Sequence, residues 1–261
     1  GRKDKLTVIG PTTSEVVDAL LGNEVEPEVT PSDLVIQYDM WMDLGATSEA
    51  LGYEVQWVLG DGERWVNMND GSQISLPQPL KKAKISAHNT QHTVPSFAWR
   101  VALDGKKGKF DRDATSHLPD EVKALLASGE DTEYDGELLV AANYRNDSIP
   151  ERSIIISGDT AEQAIDSGCD LLIHEATFLE SHKDIANEHL HSTAAGAART
   201  AIECGAKHLA LTHYSARLDS HDASLSEARE IHASVVALGD GDRLVLACLL
   251  YTSDAADERN S

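Results

Sequence analysis

Ile154-Ile155-Ile156-Ser157-Gly158-Asp159-Thr160 opens the stretch of this chain whose reading decides the fold. Fifteen residues after Asp159 stands His174, inside Leu171-Leu172-Ile173-His174-Glu175-Ala176-Thr177-Phe178. Seventeen further on comes His191-Ser192-Thr193. Twenty-two beyond that is His213, inside Leu209-Ala210-Leu211-Thr212-His213-Tyr214-Ser215-Ala216-Arg217. Three of these four polar motifs end a short apolar run, and Ala-rich segments separate the runs. That alternation reads as buried strands of a layered α/β protein. Such folds carry ligands just outside the carboxyl ends of their strands. One Asp, one Glu and three His gathered there suit metal-dependent hydrolysis.

Outward from this stretch, the pattern predicts strands at 153–157, 169–174, 207–212 and 243–247, and helices at 160–167, 192–204 and 223–238. Ser192 or Thr193 is placed to cap the helix whose apolar face includes Ala194, Ala197, Ala198, Ala201 and Ile202. Toward the N-terminus, 6–10 reads as a strand. Thr12-Thr13-Ser14 caps a helix running to Leu21, which Gly22 closes in a left-handed conformation. Residues 23–50 read as acidic loop with a helix around 31–37. Tyr53 to Leu59 alternates apolar and polar side chains before the Gly60-Asp61-Gly62 turn and Glu63 to Asn67, a hairpin signal, and Asp70-Gly71 marks another turn. Residues 84–88 read as a strand, and Trp41, Trp57 and Trp65 as core or sheet-face packing. The interval 104–150 is charged and rich in Gly and Asp, with an amphipathic piece from Pro119 to Leu126.

Composition narrows the function. The 261 residues hold 44 acidic against 22 basic side chains, a net charge of −22. That charge opposes phosphate binding, which Lys and Arg contacts drive. Either nucleic acid is not the partner, or the acidity is a solvated coat suited to high salt around a local positive site; its spread along the whole chain favours the coat. No apolar run of 18 residues and no apolar leader core appears, so a cytoplasmic protein with no membrane contact is expected. Cys169, Cys204 and Cys248 form no CxxC pair, and the first two read as small buried apolar residues.

Each candidate has a structural alternative. Asp159 can bridge two metal ions about 3.5–4 Å apart, or cap a helix. His213 can ligate metal through a neutral imidazole, or sit hydrogen-bonded in the core. His88 and His92, four residues apart, compete for one role. His174 reads as packing or hydrogen-bonding beneath the site. His191 and Glu175 can form a proton-relay pair, or be a capping-region histidine and a solvated glutamate. His182, His189, His208, His221 and His232 read as surface residues. Ser215 and Arg217 can contact phosphate, Arg217 through its bidentate fork.

These motifs resemble the signatures of the RNase Z family, metallo-β-lactamase-fold nucleases that trim the 3′ ends of tRNA precursors. The family's HEATF, HST and LTHxSxR stand here as His174–Phe178, His191–Thr193 and Leu211–Arg217. His92-Thr93-Val94-Pro95-Ser96-Phe97 is similar to its histidine-plus-VPSFGYR segment, with Ala98-Trp99 in place of Gly-Tyr. Leu6-Thr7-Val8-Ile9-Gly10-Pro11 is similar to its LTIYGP strand. The resemblance implies an α/β protein with the αββα sandwich of the metallo-β-lactamase fold, and two Zn²⁺ per complete subunit. It implies metal ligands His92, Asp159 and His213, catalytic His191 with Glu175, and substrate contacts at Ser192, Thr193, Ser215 and Arg217. The reaction implied is hydroxide attack on phosphorus, leaving a 3′-hydroxyl on the tRNA, in a homodimer whose arm grips the tRNA precursor.

The chain also departs from that family. No HxHxDH motif is present, so 1–247 is expected to be a partial domain lacking N-terminal strands and the remaining ligands. The 104–150 interval looks like an arm-like insertion, and Phe110-Asp111-Arg112-Asp113 resembles the arm's start, but no Gly-Pro pair follows. Residues 248–261 resemble a translated sequencing adapter and read as a non-native tail. A same-fold hydrolase of small phosphodiesters or sulfate esters, and a non-catalytic module that kept the fold, remain the rival readings.

Overall fold

Alternation along single strands builds the layers. In β6 (Ser96–Leu103), Phe97 packs with Val58 and Trp65, and Trp99 leans on the same cluster, whereas Ala98 between them joins a cluster of helix alanines. In β2 (Val55–Gly60), Val58 faces the Phe97 cluster while Trp57 and Leu59 pack with Leu20 and Val35 on the opposite face. Successive strand side chains point to opposite faces, so each sheet buries both of its faces.

The computed structural model describes residues 3–23, 35–37, 40, 53–106, 108–146, 150–166, 168–218 and 220–245. One sheet has the order β1-β2-β3-β4, with β1 (Leu6–Pro11) parallel to β2 and both β3 (Trp65–Asn67) and β4 (Ser72–Ile74) antiparallel. The other runs β12-β11-β10-β9-β6-β5, formed from β5 (Ala83–Thr90), β6, β9 (Arg152–Ile156), β10 (Leu171–Glu175), β11 (His208–Thr212) and β12 (Val235–Ala237). Its last four strands are parallel, and β6 is antiparallel to both neighbours. Helix α1 (Ser14–Leu20) covers the first sheet; α4 (Ala194–Glu203) and α5 (Asp222–Arg229) cover the second. The layering is the expected αββα sandwich.

Most sequence expectations hold within a residue or two. Thr13 caps α1, Gly22 has φ +79, Thr193 caps α4 through the Gly196 N–H, and both turns of the first sheet form as read. Cys169 and Cys204 are buried, and burial pushes the Cys169 thiol up to about 11. Among the described residues, no helix is long and apolar enough to cross a membrane.

Four expectations fail among the described residues. Residues 160–166 form no helix. The Thr160 N–H donates to the Glu175 carboxylate and the Ala161 N–H to the Gln91 carbonyl, so tertiary partners claim this backbone. The predicted helix 223–238 ends at Arg229, and Val235–Ala237 becomes β12. The open edge of β11 offers unpaired ladder groups, and the β-branched Val235 and Val236 suit a strand there. Third, His232 is buried, with its ring nitrogens at the Ser234 and Ala206 carbonyls, 3.1 and 3.0 Å away. Fourth, the strand expected at 243–247 does not form over 243–245; 246–247, Trp41, Cys248 and the 248–261 tail lie outside the described residues.

The described residues of 104–151 and 240–245 form a second compact unit. Within it, α2 (Asp120–Ser128) ends on Gly129 at φ +101, and β7 (Thr132–Tyr134) pairs with β8 (Glu137–Leu139). Asp135 and Gly136 both have positive φ, the geometry of an Asp-Gly hairpin turn. Leu118, Leu126 and Ala141 form its core.

Candidate metal centre

Four loops at one edge of the second sheet supply the site. Gly158, after β9, has φ +63, and an added Cβ would lie 3.0 Å from the Phe97 carbonyl oxygen. Only glycine allows that approach, and it brings Asp159 against the β5–β6 turn that carries His92. Ser96 Oγ donates to the Asp159 carbonyl at 3.0 Å, fixing the pair. Helix α3 (Lys183–His189) ends at Leu190 with φ +54, which turns the chain into His191; His213, after β11, also has φ +54. Left-handed non-glycine residues cost about 1–2 kcal/mol each, so packing around them must hold both.

The Asp159 carboxylate lies between two imidazoles. His92 Nε2 is 4.0 Å from Oδ2, and His213 Nε2 is 3.7 Å from Oδ1. Both gaps exceed a hydrogen bond. They are within the ~4.2 Å that one ion spans between a nitrogen and an oxygen ligand. Ligand atoms of His92, Asp159 and His191 lie within 4.8 Å of one another, and so do those of Glu175, His191 and His213, so two overlapping donor groups that share His191 could hold a divalent metal. Each carboxylate oxygen faces a different histidine. His88 instead meets Asp166 and Ser86, at 3.3 and 3.2 Å, away from Asp159.

Beside this group, Glu175 is a buried hub. Its Oε1 accepts from His191 Nδ1 at 2.7 Å and from the Thr160 N–H at 2.8 Å. Its Oε2 accepts from Thr177 Oγ1 at 2.6 Å and from the Ser192 N–H at 3.1 Å. Ringed by donors at 1 % exposure, the carboxyl is held as an acceptor. His92 Nδ1 donates to the Leu190 carbonyl at 3.0 Å. Rings of His191 and His213 stack with centroids 5.5 Å apart.

The remaining site candidates divide. Ser215 and Arg217 lie on the loop after β11, where Ser215 Oγ accepts from the Arg217 N–H and Arg217 is exposed. Ser192 and Thr193 are 1 % and 2 % exposed, with hydroxyls committed to the Thr160 carbonyl and the Glu180 carboxylate. They fix the loop from inside. His174 is fully buried with Nδ1 at the Glu175 carbonyl, and burial pushes its pKa down.

Sequence reasoning missed the brace beneath these loops. Arg199, on α4, bonds Glu162 from the Asp159 loop at 2.7 Å and Glu180 from the β10 loop at 3.0 Å. Thr193 Oγ1 donates to the same Glu180 at 2.6 Å, and Glu227 on α5 accepts from the Glu180 N–H. The only signal was a lone Arg on an Ala-rich helix. Burial pushes Glu180 up, but hydrogen bonds from Thr193, Arg199 and Lys183 outweigh it and hold the carboxyl at about 2. A depressed carboxylate stabilises the fold above its unfolded pKa, and that contribution fades as pH falls from about 4.5 toward about 2. Arg199→Ala is therefore expected to cost about 1–2 kcal/mol near neutrality, discounted for partial exposure. Urea unfolding at pH 6.5 and pH 3 checks this: the difference from wild type should shrink at pH 3, and an equal difference at both pH values counts against the brace.

No family model matches the chain. A Ribonuclease Z of Brevibacillus brevis is 37% identical over 150 residues, covering 54% of this chain and 47% of that protein. One of Haloarcula marismortui is 34% identical over 184 residues, covering 67% and 59%, and one of Archaeoglobus fulgidus is 32% identical over 207 residues, covering 76% and 65%. All three of these relatives are Ribonuclease Z proteins. The chain spans about half the length of the first of them. The likeness to Ribonuclease Z runs over far more residues than the Ile154–Arg217 stretch alone. Among solved structures, the metallo-β-lactamase fold protein YhfI from Bacillus subtilis gives a TM-score of 0.45 at 17% identity, covering 80% of this chain and 60% of that one. Human tRNase Z, short form, gives 0.42 at 22%, covering 80% and 63%.

Proposed function

We propose that this chain is the catalytic part of a metal-dependent endoribonuclease that removes the 3′ trailer from tRNA precursors. The observation that carries the reading is the Asp159 carboxylate with His92 and His213 on its two oxygens, beside the 2.7 Å Glu175–His191 pair. Zinc is the metal proposed, two ions per complete subunit, with Asp159, His92 and His213 as this chain's ligands. A bound divalent ion supplies Lewis-acid polarisation of the phosphodiester. Glu175 holds His191 by Nδ1, so the imidazolium carries its transferable proton on Nε2. That proton goes to the 3′-oxygen as its bond to phosphorus breaks. Water's oxygen ends on the trailer's 5′-phosphate. Arg217 and Ser215 orient the phosphate, and Ser192 and Thr193 keep His191 in place. A cytoplasmic homodimer, with the 104–150 insertion as the RNA-gripping arm, completes the proposal.

The test is cleavage of a 3′-extended tRNA, with zinc, at low and molar salt. It uses the chain itself and the chain preceded by the HxHxDH segment of a matched relative. Cleavage that His213→Ala abolishes is expected in the extended form. Turnover of bis(p-nitrophenyl) phosphate with none of tRNA would instead favour a small-ester hydrolase. tRNA cleavage indifferent to His213→Ala would remove the metal-ligand assignment.

A further inference from the structure

Thr177 touches more of the site than any sequence pattern requires. Its buried Oγ1 lies 2.6 Å from Glu175 Oε2, 2.8 Å from His213 Nδ1, 3.2 Å from the His213 carbonyl oxygen and 3.4 Å from His191 Nδ1, so the carboxylate is the nearer of two acceptors for its proton. A threonine hydroxyl has one proton and two acceptor lone pairs. Glu175 is ringed by the Thr160 and Ser192 N–H groups and by His191, donors all, so its carboxylate takes the Thr177 proton as well. The short 2.6 Å contact is the length of a hydroxyl-to-carboxylate bond. The hydroxyl then has only lone pairs left for His213. Nδ1 must carry the ring proton, and Nε2, 3.7 Å from Asp159 Oδ1, is left bare.

We propose that Thr177 is a positioning residue that locks His213 in the Nδ1–H tautomer and so aims a free Nε2 lone pair at the metal position. His92 reaches the same state through the Leu190 carbonyl. Thr177 differs in that its hydroxyl relays the Glu175 charge to His213. One buried carboxylate thus orients the histidine on the metal side and the histidine of the acid–base pair together. Residues behind a metal-binding histidine fix its tautomer and raise its basicity, and their removal typically weakens metal binding about 10–100-fold. The left-handed φ of His213 fits this role, because it turns the ring back over the Thr177 hydroxyl. The metal half of this inference rests on the proposed function; the tautomer half does not.

The tautomer is read on the ¹⁵N-labelled chain, stripped of metal by chelator, from long-range ¹H–¹⁵N correlations at a pH where the ring is neutral. His213→Asn identifies the His213 signals. Wild type should show a protonated Nδ1 and a bare Nε2, Thr177→Val a mixed or reversed tautomer, and Thr177→Ser the wild-type pattern. Cobalt(II) titration of the same proteins should show about 10–100-fold weaker binding in Thr177→Val, restored in Thr177→Ser. A wild-type His213 protonated on Nε2, or a Thr177→Val spectrum identical to wild type, overturns the lock. A correct tautomer in a chain whose cobalt binding ignores Asp159→Ala overturns the metal half and leaves the lock standing.

Discussion

Asp159→Ala is expected to abolish binding of divalent metal, where the other single ligand changes only weaken it. The reason is the shared carboxylate: His92 lies 4.0 Å from one oxygen and His213 3.7 Å from the other. Removing the carboxylate leaves the two imidazoles with no common partner. A bridging ligand serves both ions of a two-metal centre, so its loss should also eliminate hydrolysis. Asp159→Asn should be intermediate, because one oxygen remains to ligate and the charge is gone. Elemental analysis of zinc after equilibrium dialysis gives the answer directly. Metal retained at the wild-type ratio in Asp159→Ala would show that the carboxylate is a loop cap and nothing more. The backbone here is already fixed by Ser96 and Ala161, so the substitution should leave the fold intact.

In the form extended by the HxHxDH segment, His191→Ala should cut cleavage by about 10²–10⁴-fold while metal stays bound, the usual contribution of a positioned acid–base group. Glu175→Gln should act on the same step, since its carboxylate holds His191 Nδ1 at 2.7 Å. Residues acting as one unit give non-additive losses, so the double variant should be little worse than His191→Ala. Single-turnover rates measure this without interference from product release. Losses that multiply would separate the two residues into independent roles. Glu175 carries a second expectation. It holds donors from four loop residues, Thr160, Thr177, Ser192 and His191, so Glu175→Gln should lower stability as well as rate. His191→Ala, at a half-buried ring, should cost much less stability.

Much of this architecture was legible in the chain because it is written in local pattern. Ile154–Ile156, Leu171–Ile173 and Leu209–Leu211 are each too short for a helix and too apolar for a surface, so strands follow. The polar residue ending each run then had to lie at the carboxyl edge of a parallel sheet. Capping residues at Thr13 and Thr193 and the turn at Asp70-Gly71 were equally local. The Asp135-Gly136 turn carried the same local signal and was missed inside a segment read as charged insertion.

What the tertiary structure alone decided depends on partners far apart in sequence. His88 and His92 look alike in the chain, and only the β5–β6 turn meeting the Gly158 loop separates them. Residues 160–166 carry a helical pattern, but Glu175 and Gln91 claim the backbone N–H groups at its start. Val235–Ala237 is a strand because β11 has an open edge, a condition no local window contains. Thr177, Glu180 and Arg199 gained their roles the same way. A hydroxyl or a guanidinium has no address in the sequence until folding sets a carboxylate within hydrogen-bond reach.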